Sequence, residues 1–100
     1  MSRDLDAILK KLREHEAELR RLGVSHAAIF GSIARGEARV DSDIDVLLEL
    51  DDARPIGIFQ YARLKLYIDE ILTGAADVTN RRTLKPLLLD GILRDAVHAF

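Results

Sequence analysis

Asp43 and Asp45 stand two apart at the mouth of an apolar run, Ile44-Asp45-Val46-Leu47-Leu48, and could do chemistry together. In a strand, residues two apart point to the same face, so the two carboxylates project side by side. That arrangement costs energy unless a cation lies between them, and hard oxygen ligands beside a nucleotide favour Mg²⁺. About ten residues upstream, Gly31-Ser32 closes a second apolar run, Ala27-Ala28-Ile29-Phe30. A glycine turn there exposes backbone N–H groups that can seat phosphate. The combination reads as a site for metal-assisted phosphoryl or nucleotidyl transfer.

The stretch from Gly31 to Asp45 closely resembles the active-site signature of the nucleotidyltransferase superfamily shared with DNA polymerase beta, a Gly-Ser turn followed by Asp-x-Asp. Its wording, Gly31-Ser32-Ile33-Ala34-Arg35-Gly36 and then Ser42-Asp43-Ile44-Asp45, is most similar to the minimal nucleotidyltransferases of bacteria and archaea. Many of these are antitoxins paired with a small helical HEPN-domain ribonuclease toxin. The resemblance implies the nucleotidyltransferase fold, Mg²⁺ (two ions), ATP as donor, and a HEPN-domain protein as partner and acceptor.

A two-metal site calls for a further carboxylate, because two ions must clamp both the attacking and the leaving oxygen. Asp77, followed by Val78 in a short apolar segment, stands where the family carries its third acidic residue, although Ala76 replaces the usual branched residue before it. Its expected work is to hold the metal that activates the attacking hydroxyl and to take the proton. Asp43, Asp45 and Asp77 are therefore the expected catalytic and metal-binding residues. Gly31 and Ser32 are expected to cradle the β- and γ-phosphates, since a Cβ at residue 31 obstructs backbone approach. Arg35 completes the motif, as a phosphate or structural contact, and Ser42 is placed to brace the turn that aims Asp43. Asp41 reads as a turn residue and Glu49 as a strand-end ion-pair partner. Arg81, Arg82 and Lys85 follow Asp77 closely; they form either a grip for a triphosphate or acidic partner, or a solvated basic turn.

The rest of the chain must position these groups. One hundred residues with 48% hydrophobic and 32% charged content suit one α/β domain spanning 1–100. No apolar run reaches the ~20 residues of a membrane span, and Asp4 and Asp6 rule out a signal peptide at the start. The lack of cysteine suits a cytoplasmic setting. The formal charge of −2 argues against direct DNA binding.

Leu5, Ile8, Leu9, Leu12, Leu19 and Leu22 recur at helical spacing, giving one amphipathic helix with Ser2 as N-cap and Gly23 as its stop. His15 falls at the edge of that stripe and reads as a partly buried helix histidine. Strands follow over 24–30, 44–50 and 75–79, with a short helical segment after Gly31-Ser32 and a loop over 51–57. From Ile58 to Leu72 a helix carries two apolar stripes. One is Tyr61, Leu64, Ile68, Ile71 and Leu72; the other is Ile58, Phe59, Ala62 and Leu66. The second stripe is buried either within the domain or by a partner, a HEPN-domain protein or a second copy of the chain. Phe59 and Leu66 are the expected exposed pair, because Arg63, Asp69 and Glu70 flank their side while Tyr61, Leu64, Ile68 and Ile71 make the cleaner core stripe. Gly74 is the expected stop. A last helix begins near Pro86 and carries Leu87, Leu88, Ile92, Leu93, Ala96 and Val97, weakened in its middle by Gly91. The expected order is α-β-α-β-α-β-α around a small mixed sheet.

The leading expectation is a Mg²⁺-dependent nucleotidyltransferase moving AMP from ATP onto a protein hydroxyl, an antitoxin activity. Two alternatives stay open: a binding antitoxin with a vestigial nucleotide site, and a catalytic subunit whose helical partner binds a separate substrate.

Overall fold

A computed structural model describes residues 4–39, 41–73 and 76–100. In chain order the elements are α1 (Leu5–Glu14), α2 (Glu16–Arg21), β1 (Val24–Phe30), α3 (Gly31–Ala34), β2 (Ile44–Leu50), α4 (Ile58–Ile71), β3 (Ala76–Asn80), a 3₁₀ turn (Arg81–Thr83), α5 (Pro86–Asp95) and β4 (Val97–His98). The four strands form one mixed sheet in the order β3-β2-β1-β4. β2 runs parallel to β3, and β1 is antiparallel to both β2 and β4.

Strand alternation divides the sheet into two unlike faces. Ala27 and Ile29 of β1, Ile44, Val46 and Leu48 of β2, and Val78 of β3 turn to one side, where they meet Ile8, Leu12 and Leu19 from the first helices and Leu64, Ile68 and Leu72 from α4. This is the core. The cross-strand pairs Phe30↔Asp45 and Asp45↔Asp77 lie on the other side, with Leu47 opposite Ala28 and Thr79. α5 lies near β1 and α3.

Three elements depart from the expectation. The first helix breaks at His15 (φ −106°, ψ 11°). There the backbone N–H of His15 donates to the Leu12 carbonyl at 3.1 Å, while Nδ1 of the same residue lies 2.9 Å from the Lys11 carbonyl. The side chain has taken the i−4 carbonyl that the backbone would have used, a local competition that ends a helix. The residue at the N-cap of α1 is Asp4; the expected cap Ser2 and the expected stop Gly74, with Ala75, lie outside the described residues. Gly23 does take the left-handed conformation, φ +105°.

The second departure is at the carboxyl end. α5 stops at Asp95, Ala96 turns extended (ψ 132°), and Val97–His98 pairs with Ile29 and Ala28 as a fourth strand. The β-branched Val97 suits a strand, and pairing satisfies the free edge of β1. Third, α5 has no buried residue: Leu87 is 90% exposed and Leu88 59%. Its apolar residues therefore do not form the core stripe that their spacing suggested. α4, by contrast, keeps both of its stripes apart. Leu64 and Ile68 are buried, whereas Ile58, Phe59 and Leu66 are exposed at 79%, 84% and 69%.

Candidate active site

The acidic row begins with backbone register. Asp45 is the second residue of β2 and Asp77 the second of β3, and the parallel pairing sets them directly opposite. Asp43 precedes β2 by one residue and is exposed, as is Asp77, whereas Asp45 is half-buried. The Asp45 carboxyl is held above the ordinary aspartate value, first by desolvation and then by the charges of Asp77 and Asp43; Arg35 opposes the shift. Three carboxylates thus meet electrostatically at the open end of the second sheet face.

Gly31 explains why this end of the sheet can exist at all. It leaves β1 opposite Asp45 and adopts φ +76°, a conformation that L side chains rarely accept. A Cβ here would also run into the Asp45 side chain, coming within 3.1 Å of its Cγ and closer still to Oδ2. The glycine therefore makes room first for the Asp45 carboxylate, a role beyond the expected approach of phosphate. The first backbone N–H groups of α3, from Gly31 to Ile33, precede any intrahelical acceptor and are available to an anion. The Ser32 hydroxyl forms no hydrogen bond within the described residues.

Ser42 closes the turn leading to Asp43 with two bonds. Its Oγ accepts from the Arg39 N–H at 2.8 Å, and its own N–H donates to the Arg39 carbonyl at 3.0 Å. Bracing of this turn is what its position suggested. Arg35 is occupied differently from a free phosphate clamp. Nε donates to Glu37 and Nη1 to Asp95, each at 3.0 Å. These carboxylates raise the guanidinium's proton affinity further, Glu37 first. The guanidinium thereby ties the end of α3 to the end of α5 beside the acidic row. Nothing in the spacing announced Asp95, sixty residues away, as its partner.

The basic residues after Asp77 are engaged as well. Arg81 Nη1 lies 3.1 Å from Glu49 Oε2, the ion pair expected of Glu49, and Arg82 pairs with Asp52. Both line a cavity of about 320 Å³ with Asn80, Leu84 and Leu89, and the acidic row is absent from that lining. Lys85 sits at the N-cap of α5.

Among the described residues no group of three His, Asp or Glu encloses a metal ion by itself. The donor set nevertheless fits Mg²⁺, which is commonly held by one or two carboxylates with water and substrate phosphate completing its shell. Burial is the larger cause of the raised Asp45, and the repulsion from Asp77 and Asp43 that adds to it is what a divalent cation relieves.

A mixed sheet with one face buried under helices and the other carrying an acidic row beside a glycine turn is the nucleotidyltransferase fold. The chain belongs to the nucleotidyltransferase domain family, whose model matches residues 9–98, and it is a nucleotidyltransferase. It is 33% identical over 95 residues to the protein adenylyltransferase MntA of Thermococcus cleftensis, covering 94% of each chain. A candidate protein adenylyltransferase of Methanocaldococcus jannaschii is 41% identical over 75 residues, 75% of this chain and 78% of the relative. Among solved structures, a candidate minimal nucleotidyltransferase superposes with a TM-score of 0.76 at 38% identity, covering 94% of both chains. The complex of a tri-AMPylated Shewanella oneidensis HEPN toxin with its MNT antitoxin gives 0.63 at 15% identity, over 92% of this chain and 71% of that one. At that identity it shares the fold.

Proposed function

We propose that residues 1–100 act as one domain, a Mg²⁺-dependent protein adenylyltransferase that moves AMP from ATP onto a hydroxyl of a HEPN-domain toxin and so serves as its antitoxin. The observation that carries this reading is the acidic row, Asp45 opposite Asp77 with Asp43 two residues before it, against a glycine turn that only glycine can make. The MntA relative, matched over 94% of each chain, supports AMP as the transferred group. The shared fold of the HEPN toxin–antitoxin complex supports the partner.

Asp43, Asp45 and Asp77 would hold the metal, which supplies charge neutralisation at the triphosphate and lowers the pKa of the attacking hydroxyl. The α3 N–H groups and Ser32 Oγ receive the β- and γ-phosphates, so that developing negative charge meets fixed donors. Asp77 takes the acceptor's proton; the freed oxygen bonds the α-phosphorus; the bond from that phosphorus to the β-phosphate bridge breaks, and pyrophosphate leaves. Ser42 and Arg35 position the row, one through the turn before Asp43 and the other through the α3–α5 tie.

The experiment is incubation of the chain with ATP, Mg²⁺ and a HEPN-domain toxin, followed by intact mass measurement. A gain of whole AMP units on the partner is expected. An unmodified partner that is nevertheless silenced in a stable complex would replace transfer by a contact antitoxin.

A further inference from the structure

Behind the sheet, away from the acidic row, α2, the 51–57 loop and α4 enclose a cleft of about 580 Å³. Its size falls in the range of small-ligand sites, roughly 300–1,000 Å³. Arg21, Arg54 and Arg63 line it, against a single carboxylate, Glu18. In a chain of net charge −2 this is a local excess of positive charge. Glu18 is bonded to Arg21 at 2.9 Å, and the Arg54 guanidinium reaches the Arg21 carbonyl at 3.0 Å, which draws the two arginines together. Arg63 has no hydrogen bond or ion pair within the described residues. The floor is apolar (Leu22, Ile56 and Leu64), and the half-buried Tyr67 ring stands at its side, held edge-on by His15 with centroids 6.1 Å apart.

The geometry points to a metal-independent binding site for an organic phosphate: the phosphate among Arg54, Arg63 and Arg21, the planar or apolar body against Tyr67 and the floor. Guanidinium forks match phosphate oxygens in pairs. Bare phosphate would leave the floor and the ring uncovered, so an aromatic body adds area that inorganic phosphate cannot. A carboxylate-held cation has no place here, because the one carboxylate is already taken by Arg21. The site stands on its own observations, independent of the catalytic reading.

The test is calorimetric titration in EDTA, using the Asp43→Asn/Asp45→Asn chain so that the acidic row contributes nothing. AMP and inorganic phosphate are the probes. AMP should bind without metal and about tenfold or more tighter than phosphate. Arg54→Gln/Arg63→Gln in the same background, with unchanged circular dichroism, should weaken AMP by about tenfold or more, as expected for losing charge-assisted bonds. Tyr67→Leu should narrow the gap between the two probes. Absent AMP binding, AMP binding indifferent to the arginine pair, or phosphate binding as tightly as AMP each overturns the assignment. Mg²⁺-dependent ATP binding by the unmodified chain reports separately on the acidic row, so either reading can fail without the other.

Discussion

At the scale of the residue, Asp45 and Gly31 form one device. The strand needs a carboxylate at Asp45, and the turn opposite can tolerate it only without a Cβ. Gly31→Ala should therefore cost about 1–2 kcal/mol for the left-handed backbone alone, and displace Asp45 besides. Thermal melting should show the loss, and transfer should fall further than stability does. Replacing Asp45 itself works in the opposite direction. Its proton affinity is raised by burial and by Asp77 and Asp43, so the metal-free folded chain holds that proton more firmly than the unfolded chain does. The sign follows from linkage: this contribution favours folding at pH below the ordinary aspartate range and is lost as pH rises through the raised value. Asp45→Asn should thus stabilise the metal-free protein at neutral pH by about 1 kcal/mol or less, since solvent screens a half-exposed group. The gain should vanish in acid while transfer is abolished at every pH. Melting curves of both forms from acid to neutral check the crossing.

At the scale of the element, α4 is the informative one. Its two stripes were legible in the sequence because helical spacing separates them, and the charged residues flanking the second, Arg63, Asp69 and Glu70, already marked Phe59 and Leu66 as the exposed pair. The structure buries Leu64 and Ile68 and leaves Phe59 and Leu66 exposed, an unusual pair of large apolar side chains to offer water. Phe59→Glu/Leu66→Glu should leave circular dichroism unchanged and increase solubility, because no core packing is lost. If this stripe is where the proposed HEPN-domain partner sits, size-exclusion chromatography should show the complex dissociate. A folded variant that still assembles moves the interface elsewhere, with the exposed Leu87 and Leu88 of α5 next in line. The carboxyl-terminal strand was invisible to periodicity for a simple reason: two residues, Val97 and His98, carry no period. What holds them is the ladder to β1, the Ala99 N–H donating to the Ala27 carbonyl at 2.8 Å, and Arg13 Nε donating to the Ala99 carbonyl at 2.7 Å. All three are long-range contacts.

At the scale of the whole molecule, the acidic row could be read because its chemistry is local: two aspartates two apart and a glycine turn only a dozen residues before them. Its geometry could not, because the pairing of Asp45 with Asp77 depends on parallel register between β2 and β3, and the tie from Arg35 to Asp95 on α5 crossing back to α3. A hundred-residue fold that gathers three carboxylates at one end of its open face carries a repulsion that a bound cation relieves. Binding to the folded state alone stabilises it by RT ln(1 + [L]/Kd), about 2.7 kcal/mol at a hundredfold excess over Kd. For a domain of this size each kcal/mol raises Tm by roughly 4–8 °C. A non-hydrolysable ATP analogue with Mg²⁺ at that excess should therefore raise Tm by about 10–20 °C, and Mg²⁺ alone by less, since without phosphate the ion lacks much of its shell. Asp43→Asn/Asp45→Asn should lose the joint effect, keeping at most a small rise from the analogue alone. Scanning calorimetry with ion, analogue and both separates these cases. Equal rises in the double variant and the unmodified chain would mean that the ligand sits away from the acidic row.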